Sequence, residues 1–205
     1  MDNSASPVRN VRFAPELLNR SQLTIANTAG NYYFTQNNKK KLLGAVYTKQ
    51  VLVTFRSDLN AAAQQEVLNN LGFVKALVRP AGSGSEIVYA LELMDGLNPV
   101  QVEQALLELQ KRPEITYAAP YFLAGKQLMG VSNELKVQLN NKEQRKEFEQ
   151  LLHSVNATVQ QQLDEQTFVV QVDKNSKGNA LALANFLSTQ HTIATAEPTF
   201  LTSAL

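Results

Sequence analysis

The strongest constraint on the fold is an order of strands and helices that occurs twice. Between residues 48 and 124 the patterns predict strand, helix, strand, strand, helix, strand, and the same order returns between residues 131 and 205. Such a unit folds as a four-stranded antiparallel sheet with both helices on one face, because right-handed crossovers place them on the same side. The predicted fold class is therefore α+β, with two tandem ferredoxin-like βαββαβ sandwiches.

The first half carries strands rich in Val and Phe alternating with amphipathic stretches. Gln50–Phe55 is dense enough in β-formers to be a central strand. Asp58 or Asn60 can cap a helix that Gly72 ends. Pro99 opens a second helix at its first turn, where the missing N–H costs nothing.

The second half repeats this pattern after a short stretch, residues 125–130, that reads as a linker. A strand at Glu134–Leu139 precedes a helix at Lys142–Val155, and Asn179 can cap the last helix. The predicted closing strand is Thr192–Ala196, which Pro198 ends. The Gly- and Ser-rich loop after residue 80 becomes a shorter turn in the second half, as expected for a repeat.

The N-terminal region differs from both halves. Residues 1–31 show no sustained period and are predicted to form an arm. Tyr32–Gln36 and Lys39–Leu43 flank Asn37-Asn38, a sequence typical of a β-hairpin, because Asn tolerates the left-handed conformation of tight turns. The predicted organisation is an arm and hairpin over 1–47, a first repeat over 48–124 and a second repeat with its tail over 131–205.

Charge excludes one large class of function. The chain has a net charge of +1, but residues 1–47 carry +4 and residues 48–205 carry −3. A mildly acidic folded part argues against nucleic-acid binding. The apolar runs are too short to span a bilayer, so no membrane partner is predicted, and the N-terminus shows no signal peptide.

The sequence offers little chemistry for catalysis. The chain has no Cys, which excludes a thiolate nucleophile and any Cys-ligated metal. Its two histidines, His153 and His191, lie in no motif that would make either a base or a ligand. We therefore predict no enzyme activity, no catalytic residues, no metal and no cofactor.

Two short segments resemble a known family. Ile193–Phe200, with the sequence IATAEPTF, and Ile115–Phe122, with ITYAAPYF, each close one repeat. Both resemble the closing strand of the propeptides of subtilisin-like serine proteases, and the resemblance covers roughly residues 32–205. Those propeptides have a ferredoxin-like fold. The catalytic motifs of the protease are missing from this chain.

The resemblance implies a non-catalytic protein that binds a subtilisin-like protease domain in cis or in trans, assists its folding and inhibits it. The implied location is secreted or periplasmic. Glu197 would cap helix N-termini of the protease, beside the other implied binding residues Pro198, Thr199 and Phe200. The segment Leu201, Thr202, Ser203, Ala204 and Leu205 would lie in the cleft as a substrate-like inhibitory tail, with Leu205 before the scissile bond.

Other functions remain open at this point. The helix-free face of each sheet needs cover, from the other repeat or from a partner. The alternative function is a ligand-binding regulatory module of paired ferredoxin-like domains, with ligands between paired sheets. That alternative favours Gly-rich loops after the first strand, which residues 56–60 and 140–142 do not provide. An enzyme on this fold would need a convergent polar pocket, and no such set of residues is evident.

Overall fold

A computed structural model describes residues 32–36, 39–80 and 86–205. The predicted arm over 1–31, the turn Asn37-Asn38 and the loop over 81–85 lie outside these residues. The α+β class is confirmed, since the described residues form antiparallel strands and four α-helices.

The first half places two helices between strands in the order strand, helix, strand, strand, helix, strand. Asn60 caps the first helix by accepting a hydrogen bond from the Ala63 N–H, and Asn98 and Gln101 form a capping box at the second. Pro99 occupies the first turn, as predicted. The elements are β2 (Lys39–Phe55), α1 (Ala61–Asn69), β3 (Val74–Pro80), β4 (Val88–Leu93), α2 (Pro99–Gln110) and β5 (Ile115–Ala124).

Strand β2 is longer than the sequence pattern predicts. The second strand of the N-terminal hairpin and the central strand form one continuous strand of 17 residues. Its first part pairs with β1 (Tyr32–Gln36), and its last part lies between β4 and β5. Gly44 permits this course, because its φ of +84° allows the main chain to pass close to Leu123.

The second half has the same order of elements. A short 3₁₀ turn at Lys142–Gln144 precedes α3 (Arg145–Ser154), so this helix begins three residues later than predicted. Asn179 caps α4 (Ala180–Leu187) by accepting a hydrogen bond from the Ala182 N–H, as predicted. The elements are β6 (Gln127–Leu139), α3 (Arg145–Ser154), β7 (Thr158–Gln162), β8 (Thr167–Gln171), α4 (Ala180–Leu187) and β9 (Ile193–Ala204).

One curled antiparallel sheet joins the two halves. Its main path runs β3-β4-β2-β5-β6-β8-β7, with β1 beside β2 and β9 beside β6. Residues 125–130, which the sequence pattern identifies as a linker, are instead a tight turn and the start of β6. Gly125 makes this turn with a φ of +64°. The halves are therefore continuous in hydrogen bonding.

The helix-bearing faces and the junction between the halves share one apolar core. Val51 and Val53 of β2 lie in this core together with Phe148 and Phe168 of the second half. Tyr117 is fully buried there and donates its phenolic hydrogen bond to the Ser132 carbonyl at 2.7 Å. On the helix-bearing side of the sheet, apolar packing is therefore continuous between the two halves.

Strand β9 extends well beyond its predicted end. The pattern stops the last strand at Ala196, but β9 continues to Ala204, and Pro198 is buried within it. Proline is tolerated because β9 is an edge strand, paired only with β6 among the described residues.

Membrane insertion by a helix finds no support in the described residues. None of the four helices there is long and apolar enough to cross a bilayer.

Candidate functional site

The helix-free face of the first half carries a second apolar cluster, separate from the main core. Side chains alternate along β2, so Leu52 points away from the helices that Val51 and Val53 contact. Leu52 lies opposite Ala90 of β4. We call this set the helix-free cluster; its buried members are Leu52, Val88, Ala90, Tyr121 and Leu128.

A groove opens over the helix-free cluster. Its volume is about 590 Å³, within the usual range for small-molecule sites. The lining comes from both halves of the chain, with Val78 on β3 at one side and the last part of β9 at the other. We call it the β9 groove; its described lining residues are Tyr47, Gln50, Val78, Ala90, Tyr121, Leu128, Leu201, Thr202, Ser203, Ala204 and Leu205.

Tyr121 supplies a polar group in the wall of the β9 groove. Only 4% of the residue is exposed, yet its hydroxyl has no hydrogen-bond partner among the described residues. Burial raises the pKa of Tyr121 to about 12, because the phenolate would lose its hydration. The hydroxyl therefore stays protonated at neutral pH and can donate to an acceptor on a bound molecule.

The edge of β9 supplies backbone groups to the same groove. The Leu205 N–H donates to the Lys126 carbonyl at 3.2 Å, so the pair of residues 205 and 126 is hydrogen-bonded. Such pairs alternate along an antiparallel ladder, and Ala204 and Thr202 occupy the intervening positions. Their N–H and C=O groups therefore point away from β6, toward the free edge of β9.

The described lining of the β9 groove contains no charged side chain. Its polar groups are two phenols, one amide and two hydroxyls, and its floor is apolar. This set favours an uncharged ligand with apolar parts and hydrogen-bonding groups. It contains no base or nucleophile with a partner that would activate it. The described residues also contain no group of three or more His, Asp or Glu side chains that could hold a metal ion.

The residues implied in protease binding have partners within the chain. The Glu197 carboxylate accepts a hydrogen bond from Gln36 Nε2 at 3.3 Å and lies opposite Lys136 of β6. Phe200 packs edge-on against Phe34 of β1, with 5.2 Å between the ring centroids. Pro198 is buried and Thr199 is exposed. Glu197 and Phe200 are therefore engaged by the N-terminal hairpin.

The implied inhibitory tail is part of the sheet. Leu201, Thr202, Ser203 and Ala204 pair with Gly130, Met129, Leu128 and Gln127 of β6, in that order. Leu201 also packs against the helix-free cluster, while Leu205 is 65% exposed. Threading this segment into a protease cleft would require breaking its pairing with β6.

The helix-free face of the second half is polar. Phe168 and Val170 of β8 face the helices, so Val169 and Gln171 face the other way. Lys136 lies opposite Val169 on that side, and Glu134 lies opposite Gln171. Water solvates such a surface well. Contrary to the prediction from the sequence, this face therefore does not need to be buried against the other repeat or a partner.

Sequence reasoning missed the residues that line the β9 groove apart from the tail. Tyr47, Gln50, Val78 and Tyr121 belong to no sequence motif that marks a binding site. One signal was available: Tyr121, Phe122 and Leu123 are consecutive residues directly after Pro120 that favour a strand, as observed in β5. The site depends on the curl of the sheet, and no local pattern encodes that curl.

Comparisons with known proteins identify no family. No protein-family model matches the chain, and no curated protein matches it. Among the solved structures that match is the acetolactate synthase small subunit from Thermotoga maritima, at 12% identity and a TM-score of 0.32. The match covers 77% of this chain and 96% of that chain.

The predicted function of a protease propeptide is wrong for this chain. Glu197 accepts a hydrogen bond from Gln36, and the segment from Leu201 to Ala204 pairs with β6, so both are engaged inside the molecule. The matching structure named above is a small subunit of acetolactate synthase and not a subtilisin propeptide. No protease partner is proposed.

Proposed function

We propose that this chain is a non-catalytic, ligand-binding regulatory module, with the ligand held in the β9 groove. The observation that carries the proposal is the meeting of an apolar floor with the Tyr121 hydroxyl, which makes no hydrogen bond among the described residues, and an open strand edge. A groove with a few convergent polar groups over apolar side chains is the usual form of a binding site.

The two-sided lining supports a regulatory role. Ala90 and Tyr121 belong to the first half, whereas Leu201 and Ser203 belong to the second. A ligand that contacts both halves adds its binding free energy to their packing against each other. Ligand binding in the groove would therefore change the stability of the packing between both halves.

The proposed module consists of two ferredoxin-like βαββαβ units in tandem. Support comes from the strand orders β3-β4-β2-β5 and β7-β8-β6-β9, which are equivalent in the two halves. We assign 48–124 to the first unit and 131–205 to the second, with the hairpin of β1 and the start of β2 as an N-terminal extension. In this module the sheets are joined edge to edge rather than stacked face to face.

A pair of variants tests the proposed site. Ser203 lies opposite Leu128, so its side chain faces the helix-free cluster, whereas Gln127, next to Leu128 on β6, faces the other way and is not among the described lining residues. The Ser203→Trp variant should fill the groove, and Gln127→Trp is the matched control on the opposite face. Both positions are exposed, so neither variant should unfold the protein.

Nile red, an uncharged polycyclic dye, serves as the probe, and its fluorescence is titrated with each protein. We expect saturable one-to-one binding to the wild type and to Gln127→Trp, with at least a tenfold loss of affinity in Ser203→Trp. Absence of saturable binding to the wild type, or equal affinity in all three proteins, would contradict the proposed site.

A further inference from the structure

The β9 groove is an opening between two edge strands of one curled sheet. Along β3-β4-β2-β5-β6-β9, strand β3 forms one end and β9 the other. Val78 of β3 and Leu201 of β9 both line the groove and both pack against the helix-free cluster. Among the described residues, no further strand lies over the helix-free cluster between these two edges.

Five consecutive residues, Leu201–Leu205, line the groove. Alternate side chains of a strand point to opposite faces, so a cavity that touches every residue in such a run lies along the backbone edge. The N–H and C=O groups of Thr202 and Ala204 point to that edge. A bound molecule with its own row of backbone amides would satisfy these groups.

We propose that the ligand is an extended, uncharged peptide segment that adds to β9 as a further strand, a proposal that rests on the proposed function. Main-chain hydrogen bonds to Thr202 and Ala204 would provide affinity, and alternate apolar side chains would lie on the helix-free cluster. The Tyr121 hydroxyl would donate to a carbonyl or hydroxyl of the peptide. Charged residues at the inward positions are disfavoured, because no described lining side chain would compensate them.

One substitution separates strand addition from simple filling of the groove. Proline at position 204 removes the outward N–H and places a ring at the free edge, but it breaks no bond to β6. Ala204→Val keeps the N–H and serves as the matched control. Circular dichroism and thermal melting establish that each variant is folded.

The probe is the blocked peptide acetyl-Ser-Val-Thr-Val-Ser-Tyr-Thr-amide, and its affinity is measured by titration calorimetry with the full chain. We expect binding to the wild type and to Ala204→Val, and at least a tenfold loss in Ala204→Pro. Nile red titration of the wild type measures separately whether the groove accepts a ligand. The same peptide N-methylated at every second amide should bind the wild type at least tenfold more weakly. This arm needs no protein variant.

The outcomes distinguish this inference from the proposed function. Retained Nile red binding with no peptide binding, or with equal peptide affinity in Ala204→Pro and Ala204→Val, would overturn strand addition and leave the ligand site standing. Loss of Nile red binding in the wild type would remove the site itself. A dimer that Ala204→Pro dissociates, seen by sedimentation, would assign the edge to a second copy of the chain and also overturn the peptide.

Discussion

Tyr117 and Ser132 tie the two halves together through one buried hydrogen bond. The phenolic hydroxyl of Tyr117 on β5 donates to the Ser132 carbonyl on β6 at 2.7 Å, and it also lies 3.3 Å from the Val131 carbonyl. Burial raises the pKa of Tyr117 far above its ordinary value. The group is therefore a permanent donor inside the junction.

We expect Tyr117→Phe to lower the free energy of unfolding by about 1–3 kcal/mol, because it leaves the Ser132 carbonyl without this donor. Urea denaturation followed by circular dichroism measures the change. Tyr89→Phe is the control, since Tyr89 is only half-buried. Equal stabilities of the two variants would show that the bond contributes nothing.

Gly130 allows β6 to cross the helix-free cluster. A Cβ at this position would lie 2.5 Å from Leu52 Cδ1 and 2.7 Å from Tyr121 Cε1, closer than any normal contact. We expect Gly130→Ala to cost about 1–3 kcal/mol through overpacking. Leu52→Val should create room, so the double variant should be at least about 0.5 kcal/mol more stable than additivity predicts. Additive losses in urea denaturation would disprove the contact.

Gly44 and Gly96 share a left-handed backbone but differ in surroundings. Their φ values are +84° and +88°, and a Cβ at Gly96 meets nothing within 4 Å, whereas one at Gly44 meets the Leu123 carbonyl. Gly96→Ala should cost about 1–2 kcal/mol for strain alone. Gly44→Ala should cost clearly more, because the β2–β5 pairing must also shift. The comparison requires thermal or urea unfolding, and equal costs would refute the close approach.

The raised pKa of Tyr121 predicts that the folded protein loses stability at alkaline pH. Its pKa in the folded protein is about 12, above the ordinary tyrosine value of about 10. The unfolded chain therefore releases this proton first, and the stabilisation present below pH 10 is lost as the pH rises toward 12. The slope for this one group reaches about 1.4 kcal/mol per pH unit.

We expect the free energy of unfolding of the wild type to fall more steeply than that of Tyr121→Phe between pH 10 and pH 12. Ionisation of Tyr117 and of the lysines is common to both proteins and cancels in the difference. Urea unfolding at fixed pH values provides the measurement. Parallel curves would mean that Tyr121 is hydrated in the folded state.

Local patterns predicted most elements but not their lengths. Helix signals at Asn60, Pro99 and Asn179 were correct, because capping depends on a few adjacent residues. Proline at position 198 was interpreted as the end of β9. The structure continues the strand, because an edge position does not require the missing N–H. Whether a strand lies at an edge is decided by the whole sheet.

The candidate site was harder to predict for a related reason. Tyr121 carries no motif, and its role depends on the β5–β6 turn at Gly125, which brings Gly130 against Leu52. That turn lies in a stretch whose glycines equally indicate a flexible linker. Long-range packing, rather than local propensity, selects between these structures.

The pairing of β6 with β9 has a consequence for synthesis of the chain. Residues 127–139 emerge from the ribosome long before residues 193–204, yet each is the other's neighbour in the sheet. Contacts so distant in sequence form slowly, and β6 exposes an unpaired edge until translation has delivered its partner. Until β9 has been synthesised, aggregation of the nascent polypeptide with other chains therefore competes with completion of its own sheet.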